Sequence, residues 1–182
     1  MRTYTVQGII LKRKNVGEAD RLLTVFTREQ GKMQIKAKGV RRIASKRASY
    51  IEPLNIASLT LYKGTGMPIL TEATSLESFP LVKNDLQKIG IGYHICELID
   101  GLCPENQESN EVFSLIEKIF KQLSIEQEIG VLVHAFEVEL LSLLGYWSAG
   151  AHDLTGAKAS FFIESILERK LKSRQILPSL AS

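Results

Sequence analysis

Between Gly31 and Arg47 the chain reads GKMQIKAKGVRRIASKR, which sets Lys32, Lys36, Lys38, Arg41, Arg42, Lys46 and Arg47 in one run without a carboxylate among them. Ammonium and guanidinium groups at this density do one kind of chemistry well. They neutralise a row of phosphates, and nucleic acid is the commonest polyanion of that form. Met33, Ile35 and Ala37 fall on one side of the first half, and Lys32, Gln34, Lys36 and Lys38 on the other, the period-two pattern of a strand with one face in a core. The second half is too charged to be buried and reads as a mobile basic loop. The competing reading is a solvated strand face kept charged against edge pairing. The continuation of the run through the loop favours a polyanion surface. Arg13 and Lys14 could extend it, and Arg169, Lys170, Lys172 and Arg174 form a possible second basic patch near the end of the chain.

Other chemistries find no constellation. His94, His134 and His152 are scattered, and none has a cysteine at metal-ligand spacing. His94 and Cys96, like Glu137 and Glu139, stand two apart and so point to different sides of a helix. Gly64-Thr65-Gly66 lacks the third glycine of a dinucleotide loop and the Lys-Ser/Thr of a P-loop, and reads as a hairpin corner. No serine or cysteine is nominated as a nucleophile by a nearby base. The expectation is a non-catalytic binding protein without metal or cofactor. Of the aromatic residues near the basic run, Tyr50 is the one free to stack on a base, so affinity should be mostly electrostatic and poorly sequence-selective.

The charge is divided along the chain. Residues 1–50 hold 13 Lys and Arg against 3 carboxylates, a net +10, whereas the rest holds 10 against 17, a net −7, for +3 over 182 residues. The apolar run Ile9–Leu11 is too short for a signal peptide or a membrane span, so a cytoplasmic, nucleoid-associated protein is expected. Cys96 and Cys103, seven apart on an expected helix, are about 10 Å from each other, too far for a disulfide, and read as two buried thiols.

The elements that must hold the cations change type near residue 80. Strands are expected over Thr3–Lys12, with a bulge or bend at Gly8, and over Arg21–Thr27, Lys32–Lys38, Leu54–Tyr62 and Ile69–Leu76. The polar stretch Asn15–Asp20 and the hairpin turn Arg28–Gly31 connect the first three. Five short strands with glycine corners fit an OB-fold, the small barrel that commonly binds oligonucleotides. Helical spacing follows over Asn84–Leu102, then from a cap at Ser109 or Asn110 through Leu123, then over Val131–Leu144 after a capping box at Ser124–Gln127. That third helix is apolar on most sides and is expected at the centre of the helical part. Residues 148–158 form a small flexible connection, and a last helix runs over Phe161–Gln175, its cations matching the helix dipole. The fold class is α+β, with an OB-fold domain at 1–79 and an all-helical domain at 80–182.

These segments resemble the bacterial recombination mediator family RecO. The likeness lies in Tyr4–Leu11, in Gly17-Glu18-Ala19-Asp20-Arg21-Leu22, in Phe26–Lys32, in Ala37-Lys38-Gly39-Val40-Arg41-Arg42 and in Glu52-Pro53-Leu54; it returns in Phe136–Tyr146 and in Leu171-Lys172-Ser173-Arg174. The resemblance implies binding of single- and double-stranded DNA, annealing of complementary strands, and loading of the RecA recombinase, with RecR, onto strands coated by single-strand-binding protein (SSB). It places DNA-contacting cations at Lys36, Lys38, Arg41 and Arg42. Many relatives carry a four-cysteine zinc module before the last helix. Trp147–Lys158 holds no cysteine, so no zinc is expected. An RNA-binding barrel and a helical adaptor without nucleic-acid binding are the alternatives, to be separated by RNA competition and by gel shifts at low salt.

Overall fold

A computed structural model describes residues 2–148 and 154–176. Five strands come first: β1 (Thr3–Val16), β2 (Asp20–Thr27), β3 (Gly31–Ala37), β4 (Ile56–Tyr62) and β5 (Ile69–Glu77). They close into a barrel in the order β1-β2-β3-β5-β4. Every pairing is antiparallel except β3 with β5, which meet in parallel at Lys36 and Ile69, where the Lys36 N–H donates to Pro68 O at 2.9 Å. This is the OB-fold, filled by inward-facing Val6, Ile10, Leu23, Val25, Met33, Ile35, Leu59 and Leu61.

The register of β1 departs from expectation at two places. Gly8 is not the bulge. A Cβ there would stand 2.4 Å from Val25 Cγ1, so glycine lets two strands approach. The register slips instead between Ile10 and Lys12, leaving Leu11 as the extra residue. Beyond it β1 runs on to Val16 against the start of β2, through residues expected to be a connection. The loop after β3 plugs the barrel, because Val40 and Ile51, both fully buried, join its core. Leu54 takes a left-handed φ of 72°, so β4 begins at Ile56.

The segment Cys103–Asn110 belongs to the barrel unit. The Asn106 N–H donates to Lys32 O at 2.9 Å, and Glu105 bridges Lys32. Gly31, at φ 69°, lies so close to Gln107 that a Cβ would fall 1.9 Å from its carbonyl oxygen.

The second unit comprises 79–102 and the described residues after 110. Its helices are α1 (Pro80–Lys83), α2 (Leu86–Leu102), α3 (Asn110–Ile125), α4 (Ile129–Leu143), α5 (Gly156–Leu167) and α6 (Lys172–Ile176). The apolar stripe of α3, with Phe113, Ile116, Phe120 and Leu123, is buried, and Phe79 packs on Phe120 with ring centroids 5.3 Å apart. α4 is not central: Phe136, Leu140 and Leu141 are buried, but Val131 is 70% exposed. The capping box does not form. Ser124 Oγ bonds back to Phe120 O within α3, and the Glu126 carboxylate takes the Gln127 and Glu128 N–H groups. The last helix is two, broken where Glu168 adopts φ 53°, so its cations do not share one helix end. The connection expected at 148–158 lies partly outside the described residues. Both thiols are buried; burial pushes Cys103 up to about 12 against the pull of Lys32, and pushes Cys96 higher still. Among the described residues no helix is long and apolar enough to cross a membrane.

Candidate nucleic-acid interface

Cross-strand register decides which cations share a face. Lys14, Leu22 and Lys36 are partners across β1, β2 and β3, and partnered residues project to the same side. At the usual strand spacing Lys14 and Lys36 are about 10 Å apart at Cα. Arg13 lies in the neighbouring row with Leu23 and Ile35, so it leaves the sheet on the opposite side from Lys14, although at this end of the barrel its side chain is 35% exposed. There it bonds Glu52, whose carboxylate also receives Arg21 Nη1 at 3.3 Å. Arg13 is thus paired with a carboxylate, as Lys36 is with Asp20, whereas Lys14 projects to the Lys36 face. Lys32 drops out of the expected set. Its row, Ile9, Phe26 and Lys32, is on the outer face but covered, and Lys32 is only 9% exposed.

The loop after β3 is fastened rather than free. The Arg41 N–H donates to Ala19 O at 2.9 Å and its Nη1 to Gly17 O at 3.0 Å, which docks the loop on the β1–β2 turn. Arg47 Nη1 reaches Leu70 O at 2.9 Å and Thr71 O at 3.3 Å, while its Nη2 reaches Lys38 O at 3.0 Å. The Arg47 guanidinium is therefore a clamp, its donors directed to carbonyls. What remains is a recess of about 640 Å³ lined by Lys38, Arg42 and Lys46, with Asp20, Gly39, Ser45 and Arg47 in its wall. The side chains of Lys38, Arg42 and Lys46 are exposed and bond no described residue.

Asp20 sets the shape of this recess. Its Oδ1 accepts the Gly39 N–H at 2.9 Å and its Oδ2 faces Lys36 Nζ at 3.4 Å. The Gly39 bond, and then Lys36 and Lys38, hold its carboxyl below the usual range, so it is an anion at neutral pH. The Gly39 turn is thereby anchored and Lys36 is held to one side.

The second basic patch dissolves in the structure. Arg169 Nη1 bonds Glu97 Oε1 at 2.6 Å, and Arg174, only 16% exposed, lies 3.8 Å from Glu137. Lys170 and Lys172 alone of the four stay exposed without such a partner. Burial alone would raise the Glu97 carboxyl. The Arg169 bond, the Lys172 and Ser173 N–H groups and the Ser173 hydroxyl outweigh it and hold the group at about 2. His94, fully buried, touches Ser173 Oγ at 2.7 Å and Glu137 Oε1 at 2.9 Å. These are the residue types of a nucleophile, base and acid relay, but with His94 and Glu137 sealed from solvent they fasten α2, α4 and α6 together. Sequence reasoning missed the cluster because its members lie 43 and 79 positions from His94. Among the described residues no group of three His, Cys, Asp or Glu could hold a metal ion.

Comparison with known proteins agrees with the barrel and the helices. The family model described as "Recombination protein O N terminal" matches residues 1–79, and "Recombination protein O C terminal" matches 83–149. The chain is 34% identical over 145 residues to a DNA repair protein RecO of Roseiflexus sp. (strain RS-1), covering 80% of this chain and 51% of that one. It is 37% identical over 147 residues to one of Heliobacterium modesticaldum, with 80% and 53% covered, and 28% identical over 181 residues to one of Desulforudis audaxviator, with 96% and 72% covered. The chain thus spans about half the length of the first of these relatives. With both halves of the family matched in order along an OB barrel and the helices that follow it, the chain belongs to the Recombination protein O (RecO) family.

Proposed function

We propose that the barrel unit binds the phosphate backbone of single- and double-stranded DNA, and that the protein works as a non-catalytic mediator of DNA repair and recombination. The observation that carries this reading is the recess lined by Lys38, Arg42 and Lys46, three exposed cations whose side chains bond no described residue, with Asp20 and Arg47 in its wall. Lys14, Lys36 and Arg41 flank it on the outer face and the docked loop. Contacts of this kind position a strand without reading its sequence. Two complementary strands held on one cationic surface repel each other less, which is how annealing would arise. Family membership supports the wider role: loading the RecA recombinase with RecR on strands coated by single-strand-binding protein. A strand-annealing assay with complementary oligonucleotides, with and without that coating protein, tests the reading. The unaltered chain should accelerate annealing, and a variant with Lys38, Arg42 and Lys46 all changed to Ala should not. Equal acceleration by both would refute the site.

A further inference from the structure

The barrel closes incompletely along one edge of β3. The Lys36 N–H is taken by Pro68 O, and Lys32 O by the Asn106 N–H. Main-chain groups two residues apart in a strand point to the same edge, so the N–H and C=O of Gln34, midway between those two bridges, also point away from β2. Neither meets a backbone partner among the described residues, because β3 and β5 pair only at Lys36 and Ile69. Gln34 lines a recess of about 690 Å³ together with Tyr4, Met33, Met67, Lys63, Glu105 and Asn106. Met33 is inward-facing, the Tyr4 ring packs on the barrel core, and Met67 is 42% exposed.

We propose that this recess holds one unpaired nucleobase, its edge paired with the N–H and C=O of Gln34 and its faces against Tyr4 and the two methionines. Main-chain groups are obligatory hydrogen-bonding sites, so an adjacent donor and acceptor left open on a strand edge mark a place for a complementary edge. Every base offers such a donor and acceptor on its pairing edge. An added peptide strand fits poorly, since the neighbouring edge positions at Lys32 and Lys36 are already occupied. The aromatic and thioether walls suit a flat apolar ring. Gln34 stands two residues from Lys36, about 7 Å along β3, so a strand lying on the cationic face can lower a base into the recess. A base within a duplex has its pairing edge already used. The recess therefore favours single-stranded over double-stranded DNA, a discrimination the phosphate contacts cannot supply. The inference rests on the DNA-binding reading above.

The test is amide NMR of the full chain with an oligothymidylate strand, and with the same strand paired to oligoadenylate. The single strand should shift the Gln34 amide strongly and the duplex should not, while the Lys38 and Arg42 amides respond to both. A Gln34→Pro variant removes the N–H on an open edge, where proline is tolerated. It should lose about three- to tenfold in single-strand affinity and nothing in duplex affinity. A silent Gln34 amide with responsive Lys38 and Arg42, or an equal Gln34 response to duplex, overturns the base site and leaves the phosphate site standing. Silence at all three overturns both.

Discussion

Changing Asp20 to Asn should make the protein bind DNA more tightly. Asp20 plays two parts with two oxygens: Oδ1 caps the Gly39 N–H at 2.9 Å, and Oδ2 holds Lys36 Nζ at 3.4 Å. Asparagine keeps an acceptor for Gly39 but puts an uncharged amide group opposite Lys36, so the turn should persist while the lysine is released. Each cation newly available to a phosphate of a single strand steepens the fall of log K with log salt by about 0.7. Over a tenfold range of salt that is a factor of about five, so the variant should bind about fivefold tighter near 0.1 M and converge with the unaltered chain near 1 M. Loss of a carboxylate from the recess wall acts in the same direction. An exposed pair contributes little to folding, so the unfolding curve should barely move. The assay is fluorescence anisotropy of a labelled oligonucleotide across a salt titration. Equal or weaker binding with an unchanged slope would refute the argument that Asp20 restrains Lys36.

Three further outcomes follow from the same geometry. Arg47→Ala removes the bonds to Leu70, Thr71 and Lys38 carbonyls; it should cost about 1–3 kcal/mol in urea unfolding while leaving the salt slope of DNA binding unchanged, because this arginine is a clamp and not a phosphate contact. Glu137→Ala leaves His94 and Arg174 in the interior of the helical unit without their carboxylate, and should cost about 3–5 kcal/mol in the same measurement. Glu97, held at about 2 against an ordinary 4.5, has a lowered folded-state pKa. Its stabilising effect is complete above about pH 4.5 and is lost as pH falls towards 2. Thermal melts should show the unaltered chain losing more stability across that window than a Glu97→Gln variant.

The fold was legible wherever a pattern was local. The alternation of Met33, Ile35 and Ala37 marks β3 because a two-residue period is written into consecutive positions, and the stripe from Val112 to Leu123 marks α3 for the same reason. The cationic surface was legible as a run of charge but not as a set of bonded and unbonded groups. Whether Arg13 or Lys14 projects to the Lys36 face depends on the one-residue slip at Leu11, which no feature of the sequence around Gly8 reveals. Lys32 carries the same charge as Lys36, yet its row is covered and that of Lys36 is open. Arg169 and Arg174 look like a basic patch until Glu97 and Glu137 are brought against them from far along the chain. Fastening of the basic loop depends on carbonyls, those of Gly17, Ala19, Leu70 and Thr71, and a carbonyl has no signature in residue type.

The most direct test of the central claim is the salt slope of DNA binding in a Lys38→Ala, Arg42→Ala, Lys46→Ala variant. Without those three cations to neutralise phosphates, the plot of log K against log salt should flatten by about 2 for a single strand and by about 2.7 for a duplex. Parallel plots for the variant and the unaltered chain would mean that these cations meet no phosphate, and would contradict the account.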